Sequence, residues 1–388
     1  MKNTIVVVAA SLSLCVSAAA QQTLPGQPVV APMPEVTIIG NRDDIVEVPG
    51  GATVITADDI LRFNQTDIQR IIRSAPGVTV QVEDGYGLRP NLSIRGTASE
   101  RSARVTLLED GILIAPAPYS APAAYYFPTA GRLAGVEVLK GPATISEGPY
   151  TVGGAINLLS TPIPESRAGF ANIQLGDDAT WRVHAHYGDD NGKFGWLVET
   201  HQWGSDGFQE LDNGGDTGLS KQDYMVKLRY AFDPIGDWSH SLELKLQHAT
   251  ENSDQSYLGL TDNDFSANPI RRYGLSALDN IDTTHDQVLL RHRLSSKSFE
   301  LTTSVYNNDF ERDWFKIRRV NGTRLHRVLA DPAGNAADFA TLTGAAGGTL
   351  NYRHNARSYE AYGYQIEGDN IIGRGPVVHT LTAGARYH

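Results

Sequence analysis

Tyr224-Met225-Val226-Lys227-Leu228-Arg229-Tyr230-Ala231-Phe232 alternates residue by residue, with aromatic and aliphatic side chains at the even positions and Met, Lys, Arg and Ala between them. Successive side chains of a strand point to opposite faces. The stretch is therefore predicted to turn one face to an apolar medium and the other to water. The same period recurs along the chain. Leu242, Leu244 and Leu246 alternate with Glu243, Lys245 and Gln247; Val288, Leu290 and Leu294 stand opposite Arg291 and Arg293; Phe299, Leu301 and Val305 stand opposite Glu300, Thr302 and Ser304.

Working outward, nine strands are predicted near 168–176, 180–188, 193–203, 221–232, 238–249, 285–295, 298–309, 356–369 and 377–388. The connections after the second, fourth, sixth and eighth are short, whereas Gly204 to Ser220, Thr250 to Thr284 and Phe310 to Asn355 are long. Short turns on one side and long loops on the other are the habit of transmembrane antiparallel β-barrels. A soluble sandwich or solenoid shares the strand period, but connections of this length are uncommon in compact soluble domains. Residues 166–388 are thus predicted to be the N-terminal part of a transmembrane β-barrel. An odd strand count and an end at His388 leave it unclosed, so the sequence is expected to be a truncated product or partial record. A barrel wide enough to hold a small domain needs about 22 strands.

Composition narrows the remaining classes. The chain has 388 residues, 41% hydrophobic and 20% charged, with a formal net charge of -11. That apolar share excludes a disordered chain, and the acidic balance argues against a general nucleic-acid binder. No run of 18 apolar residues follows the N-terminus, which excludes a helical membrane protein. Lys2, the apolar Thr4 to Val16 and Ala18-Ala19-Ala20 read as an export signal over residues 1–20, with the mature chain starting at Gln21. The single cysteine, Cys15, falls inside that leader, so neither disulfides nor cysteine metal clusters are expected.

Residues 21–44 are Gly-, Pro- and Gln-rich around one β-prone run, Glu35-Val36-Thr37-Ile38-Ile39. Residues 45–165 read as a compact α+β domain. Thr56 with Asp59 and Thr66 with Gln69 suggest capping boxes, Ala75-Pro76-Gly77 stops the second helix, and short strands are predicted at Val78–Val82, Leu92–Arg95, Val105–Leu108 and Val136–Leu139. Asp110-Gly111 is a hairpin signal, which makes Glu109-Asp110 a strand end rather than an acid/base pair. The glycines at 141, 148, 153 and 154 do not make a P-loop, because Lys140-Gly141 is in the wrong order. No grouping asks to be read as catalysis, and no enzyme is expected. His184 and His186 share one face of a strand without a third ligand at a suitable spacing, so no metal site is expected.

Several stretches of the chain resemble the TonB-dependent outer-membrane receptor family. Glu35 to Ile39 resembles its TonB box. Ser74-Ala75-Pro76-Gly77-Val78, Leu92-Ser93-Ile94-Arg95-Gly96 and Glu109-Asp110-Gly111-Ile112 resemble its plug signatures, as does Val136-Glu137-Val138-Leu139-Lys140-Gly141-Pro142 with Gly153-Gly154-Ala155-Ile156-Asn157. Within the family, Arg101 to Pro118 and Tyr119-Ser120-Ala121-Pro122 are most similar to the ferric-citrate type. The resemblance implies a plug domain inside a barrel in the Gram-negative outer membrane, importing a ferric chelate as cargo and holding no resident cofactor. Its partners would be TonB with the inner-membrane energising complex, outer-membrane lipid and the chelate; cobalamin or a sugar is the alternative cargo, and a passive porin or surface-binding protein the remote one.

Specific residues follow from that expectation. Glu35, Val36, Thr37, Ile38 and Ile39 would add as a strand to TonB. Arg101, Ser102, Arg104, Tyr119, Arg271 and Arg272 are candidate ligand contacts, because guanidinium forks suit carboxylates. Arg312, Lys316, Arg318 and Arg319 crowd a later loop. The plainer reading of any one of these cations is a solvated surface charge. Arg95 and Lys140 are candidates for plug–barrel contacts.

Overall fold

The structure is a computed structural model that describes residues 11–17, 48, 50–63, 66–114, 126–148, 151–373 and 378–388. The expected TonB box, Glu35 to Ile39, and Tyr119 lie outside the described residues. Strand β1 (Ser11–Ser17), from the stretch read as a leader, pairs along the outer edge of the large sheet described below.

The first domain contains β2 (Ala52–Thr56), β3 (Val78–Gln81), β4 (Asn91–Ile94), β5 (Val105–Glu109), β6 (Ile112–Leu113), β7 (Leu133–Leu139) and β8 (Gly154–Ser160), with helices α1 (Ala57–Phe63) and α2 (Ile68–Ile72). Five strands form one sheet in the order β2-β7-β8-β5-β6, with β5 and β8 parallel, and β3 pairs with β4. Ile60 of α1 and Ile68, Ile71 and Ile72 of α2 pack on Val105, Leu107, Val136, Val138 and Ile156 of the sheet. Thr56 and Asp59 cap α1 reciprocally, as expected: Thr56 N donates to Asp59 Oδ2 at 3.1 Å, and Asp59 N to Thr56 Oγ1 at 3.3 Å. At α2 the cap is Asp67 rather than Thr66, with Gln69 N donating to its Oδ1 at 2.8 Å. Asp67 stands directly before the first helical residue, so its carboxylate meets the orphan amide, and Gln69 is buried instead of folding back.

Nine strands then form one antiparallel sheet in chain order: β9 (Ala168–Leu175), β10 (Trp181–Asp190), β11 (Phe194–Ser205), β13 (Leu219–Ala231), β14 (Ser239–Ser253), β16 (Asn280–Ser295), β17 (Phe299–Val320), β20 (Arg357–Gly373) and β21 (Val378–Tyr387). The sheet is open among the described residues, its path running from β1 to β21. Its faces are inverted relative to a soluble sheet. Tyr224, Leu228, Tyr230 and Phe232 are exposed on the outside, whereas Lys221, Asp223 and Lys227 of the same strand are buried inside against the first domain, and Arg229 is buried on Asp190 of β10. Phe194, Tyr230, Phe232, Trp238 and Phe299 gather at the short-turn end, as an aromatic girdle does.

The strands outrun the predicted spans. β16 begins at Asn280 and β17 continues to Val320, so that its 22 residues far exceed the 9–11 of a membrane crossing. Beyond Asp309 the outward face carries Asp309, Glu311 and Asp313 while Phe310 and Trp314 turn inward, so the outward-apolar signal reverses and the strand stops being legible. The long connections are also built, not bare. They carry β12 (Glu210–Leu211), α3 (Asp262–Ala267), β15 (Arg271–Arg272), β18 (Thr323–Arg324), α4 (Leu325–Ala330), α5 (Ala336–Leu342) and β19 (Leu350–His354). Tyr273, Ile317, Val320, Val328 and Leu342 give this cap its own small core.

Candidate functional site

The domain docks on the wall through one hairpin tip. Asp110 and Gly111 both have positive φ, 50° and 77°, which is the two-residue type I′ turn that Asp-Gly favours. The tip is held from four wall strands. Lys245 Nζ of β14 donates to Glu109 Oε1 at 2.7 Å and to Asp110 Oδ2 at 2.8 Å; Arg291 Nη2 of β16 donates to Asp110 O at 2.5 Å. Gln365 Nε2 of β20 reaches Gly111 O at 3.1 Å, and Arg386 Nη2 of β21 reaches the same oxygen at 3.5 Å. From within the domain, Ser160 N and Oγ donate to the Asp110 carboxylate at 2.9 and 2.6 Å.

Arg132, at the end of a 3-10 turn leading into β7, completes the lattice. Its Nη2 donates to Glu109 Oε1 at 2.8 Å and its Nε to Asp223 Oδ2 of β13 at 3.0 Å, and all three side chains are 0% exposed. Burial pushes Glu109 upward, but the charges of Arg132 and Lys245 outweigh it and hold the carboxyl below its ordinary range. Asp110 is held well below, against the same penalty, by Lys245, Lys227 and the Ser160 bond. Burial opposes the Arg132 charge, yet Asp223 and Glu109 bind its proton more firmly than usual. Buried charges of this kind fix geometry more than they add stability, and removing one partner is costly because the others stay buried.

A second contact lies at an upper loop of the domain. Asp84 accepts from the amides of Tyr86, Leu88 and Arg89 at 2.8, 3.0 and 3.0 Å, which folds the loop on itself. Arg89 Nη2 then donates to Glu251 Oε1 of β14 at 2.7 Å. The Tyr86 ring stands edge-on to Trp203 and Phe208 at 5.8 and 5.5 Å. A Cβ on Gly85 would lie 2.3 Å from the Phe208 ring, so only glycine admits this approach.

Around the long-connection mouth, Lys316 Nζ sits 3.2 Å from the Trp314 ring centroid and 4.3 Å from that of Tyr257, with Arg312 over Trp314 at 5.6 Å. Burial, reinforced by Glu83, raises the Tyr257 phenol, and Arg101 and Arg89 stand close enough to offset part of that rise.

The sequence candidates separate into distinct groups. Arg101 and Arg104 are exposed and form no side-chain ion pair among the described residues. Ser102 is not available to a ligand: it is buried, accepts from Leu92 N at 2.9 Å and donates to Pro90 O at 3.0 Å. Arg271 is spent on Asp212 and Asp264, at 2.7 and 2.8 Å. Arg272 is buried, with its guanidinium donating to Ser276 Oγ and Ser276 O, both at 2.8 Å. Arg95 and Lys140 bond inside the domain rather than to the wall: Arg95 Nη2 donates to Gly50 O at 2.7 Å, and Lys140 Nζ to Thr53 Oγ1 and Pro76 O at 3.0 Å. Arg132, Arg89, Lys245 and Arg291 make the contact instead. His184 Nε2 lies 2.7 Å from Glu199 Oε1, and His186 stacks on Phe170.

The comparisons with known proteins fit this geometry. Residues 44–155 match the family profile described as TonB-dependent Receptor Plug Domain. The first domain is a TonB-dependent receptor plug domain. Over 213 residues the chain is 27% identical to the vitamin B12 transporter BtuB of Vibrio vulnificus (strain YJ016), covering 53% of this chain and 33% of that relative. The unliganded ferric citrate transporter FecA superposes with a TM-score of 0.70 at 20% identity, over 89% of this chain and 48% of that one. The siderophore receptor PiuA of Acinetobacter baumannii gives 0.61 at 17%, over 87% and 45%. The chain thus spans a third of that curated relative and about half of these structures. Their fold is a plug followed by a β-barrel, which the large antiparallel sheet matches.

Reading from sequence missed Arg132, Asp223 and Glu251. A usable signal existed: a charge on the face of a strand opposite an apolar outward face has nowhere to go but the interior, and Asp223, Lys227, Lys245 and Glu251 all sit there. Their partners were not legible, because no periodicity says which plug residue meets which strand.

Proposed function

We propose that this chain is part of a TonB-dependent outer-membrane receptor that imports an anionic ferric chelate of the citrate or carboxylate type. The observation that carries the reading is the plug locked to the inner wall by the buried Arg132, Glu109, Asp110, Asp223 and Lys245 lattice. A passive pore gains nothing from a lumen closed by buried charge pairs, whereas energised import needs a closure that a partner's pull displaces. Glu35 to Ile39 is the segment suited to that pull, since a short β-prone run adds to a partner's sheet edge through its backbone. The cargo assignment rests on Arg312 and Lys316 around the mouth and on the exposed Arg101 and Arg104 of the first domain, in a chain whose overall charge is -11. Carboxylate chelates of iron meet such a surface with paired oxygens.

The similarity to the vitamin B12 transporter supports a second reading, cobalamin import, through the same plug. Cobalamin offers less anionic charge to the mouth arginines. Competition separates the two: binding of ferric citrate that Arg101→Ala with Arg104→Ala weakens at least tenfold supports the chelate, and binding of cobalamin indifferent to those changes supports the alternative.

A further inference from the structure

On the outward face of the wall, β9, β10, β11 and β13 are in register so that their side chains form rows. Ala171 pairs with Ala185, Ala185 with Thr200, and Thr200 with Tyr224. Three small side chains in line, ended by an aromatic ring, leave a groove of about 650 Å³. The next row toward the short turns is bulky, with Tyr187 and Val226 forming its wall, and Tyr187 lies across Gly169 so closely that a Cβ there would be 2.7 Å from the ring. Elsewhere the outward face is filled by Leu, Val and Tyr. A groove that large on an apolar outer surface is a defect unless something apolar fills it.

One row further down, at the end where the β10–β11 turn is short, Arg167 and Asp189 form an exposed pair at 3.1 Å on the same outward face. Two rows along a strand is about 13 Å, at ~3.3 Å per residue. An exposed ion pair of this sort contributes little by itself and exchanges readily for other charges. Its two signs side by side complement a headgroup that itself carries both.

Resting on the reading of this face as lipid-facing, we propose that the groove over Ala171, Ala185 and Thr200 is a specific site for one zwitterionic glycerophospholipid. An acyl chain lies in the groove, the phosphate meets Arg167 and the headgroup ammonium meets Asp189. The short-turn end places this lipid in the periplasmic leaflet. The site holds one molecule by shape and by paired charges, where the surrounding wall takes lipid without distinction.

Native mass spectrometry of the full chain, released from micelles containing dipalmitoyl phosphatidylethanolamine, tests this. The expected result is one retained lipid per chain, favoured about tenfold over phosphatidylglycerol. Ala185→Trp and, as a smaller filling, Ala171→Leu each reduce retention about tenfold, and Asp189→Asn, which removes the partner of the ammonium, removes the preference between headgroups. Val288→Trp, on a filled part of the same face, leaves retention unchanged. Retention undiminished from the unsubstituted chain in both groove variants, no preference of the unsubstituted chain between the two lipids, or selective retention of lipid A would overturn the proposal. Sedimentation of each variant with liposomes keeps the outcomes distinct: a chain that inserts but retains no lipid refutes the site, and a chain that does not insert refutes the lipid-facing reading.

Discussion

Replacing Arg132 with Met removes two charge-assisted bonds from a place that water does not reach. Glu109 keeps Lys245 at 2.7 Å, but among the described residues Asp223 keeps no charged hydrogen-bond donor, only neutral ones, Gln247 Nε2 at 3.2 Å and the Thr129 hydroxyl beside it. An uncompensated buried carboxylate costs about 3–5 kcal/mol. At about 1.4 kcal/mol per tenfold, that shifts the docked-to-undocked equilibrium of the plug by about two to three and a half orders of magnitude. Hydrogen exchange of the Glu109–Ile112 hairpin and of the wall strands facing it, in micelles, reads this, because that contact is closed to water only while the plug is docked. The companion Asp223→Asn removes the orphaned charge, so the double variant should recover about 1–3 kcal/mol of the loss. A change below about 1 kcal/mol in Arg132→Met, or strict additivity in the pair, would refute the claim that this lattice holds the plug.

Four further outcomes are expected. Glu109 and Asp110 have folded pKa values below the unfolded ~4.3 and ~3.9, so their contribution is present above those values and is lost as pH falls through the folded ones; plug protection should be flat from about pH 5 to 7 and drop below about pH 4. Burial raises Asp279 to about 6 despite its bonds to Ser256 and Ile317, so its ionisation weakens the cap as pH rises from about 4 to 6; Asp279→Asn should stabilise the cap at pH 8 by about 1–2 kcal/mol in thermal unfolding. Arg271→Ala should loosen 206–218 from 254–279, seen as faster proteolysis of those loops, at a cost of about 1 kcal/mol because the pairs are partly exposed, with ferric-chelate affinity unchanged. Ile38→Pro should abolish energised uptake while leaving surface binding intact, because proline removes a backbone donor from the added strand; surviving uptake would reject the strand-pairing role.

What the sequence revealed follows from where its chemistry is local. Alternation at Tyr224 to Phe232 reports a wall with apolar outside and polar inside because each strand carries both faces in its own residues. Asp110-Gly111 reports a hairpin because two positive φ values are a local demand. The β17 extension past Asp309 was hidden, since above the apolar belt its outward face is acidic and its inward face aromatic. Arg271 and Arg272 looked like ligand groups because arginine is ambiguous in a loop; only the fold shows Asp212, Asp264 and Ser276 already occupying them. Arg95 and Lys140 followed motif position, whereas the docking was done by Arg132 and Arg89, whose partners lie 91 and 162 residues away in the chain.

Uptake of labelled ferric citrate by cells carrying the complete gene, with and without an active TonB system, tests the central claim most directly. The expected result is accumulation that requires TonB and that disappears with Ile38→Pro. Accumulation that continues without TonB, or TonB-dependent uptake of cobalamin with none of ferric citrate, would contradict it.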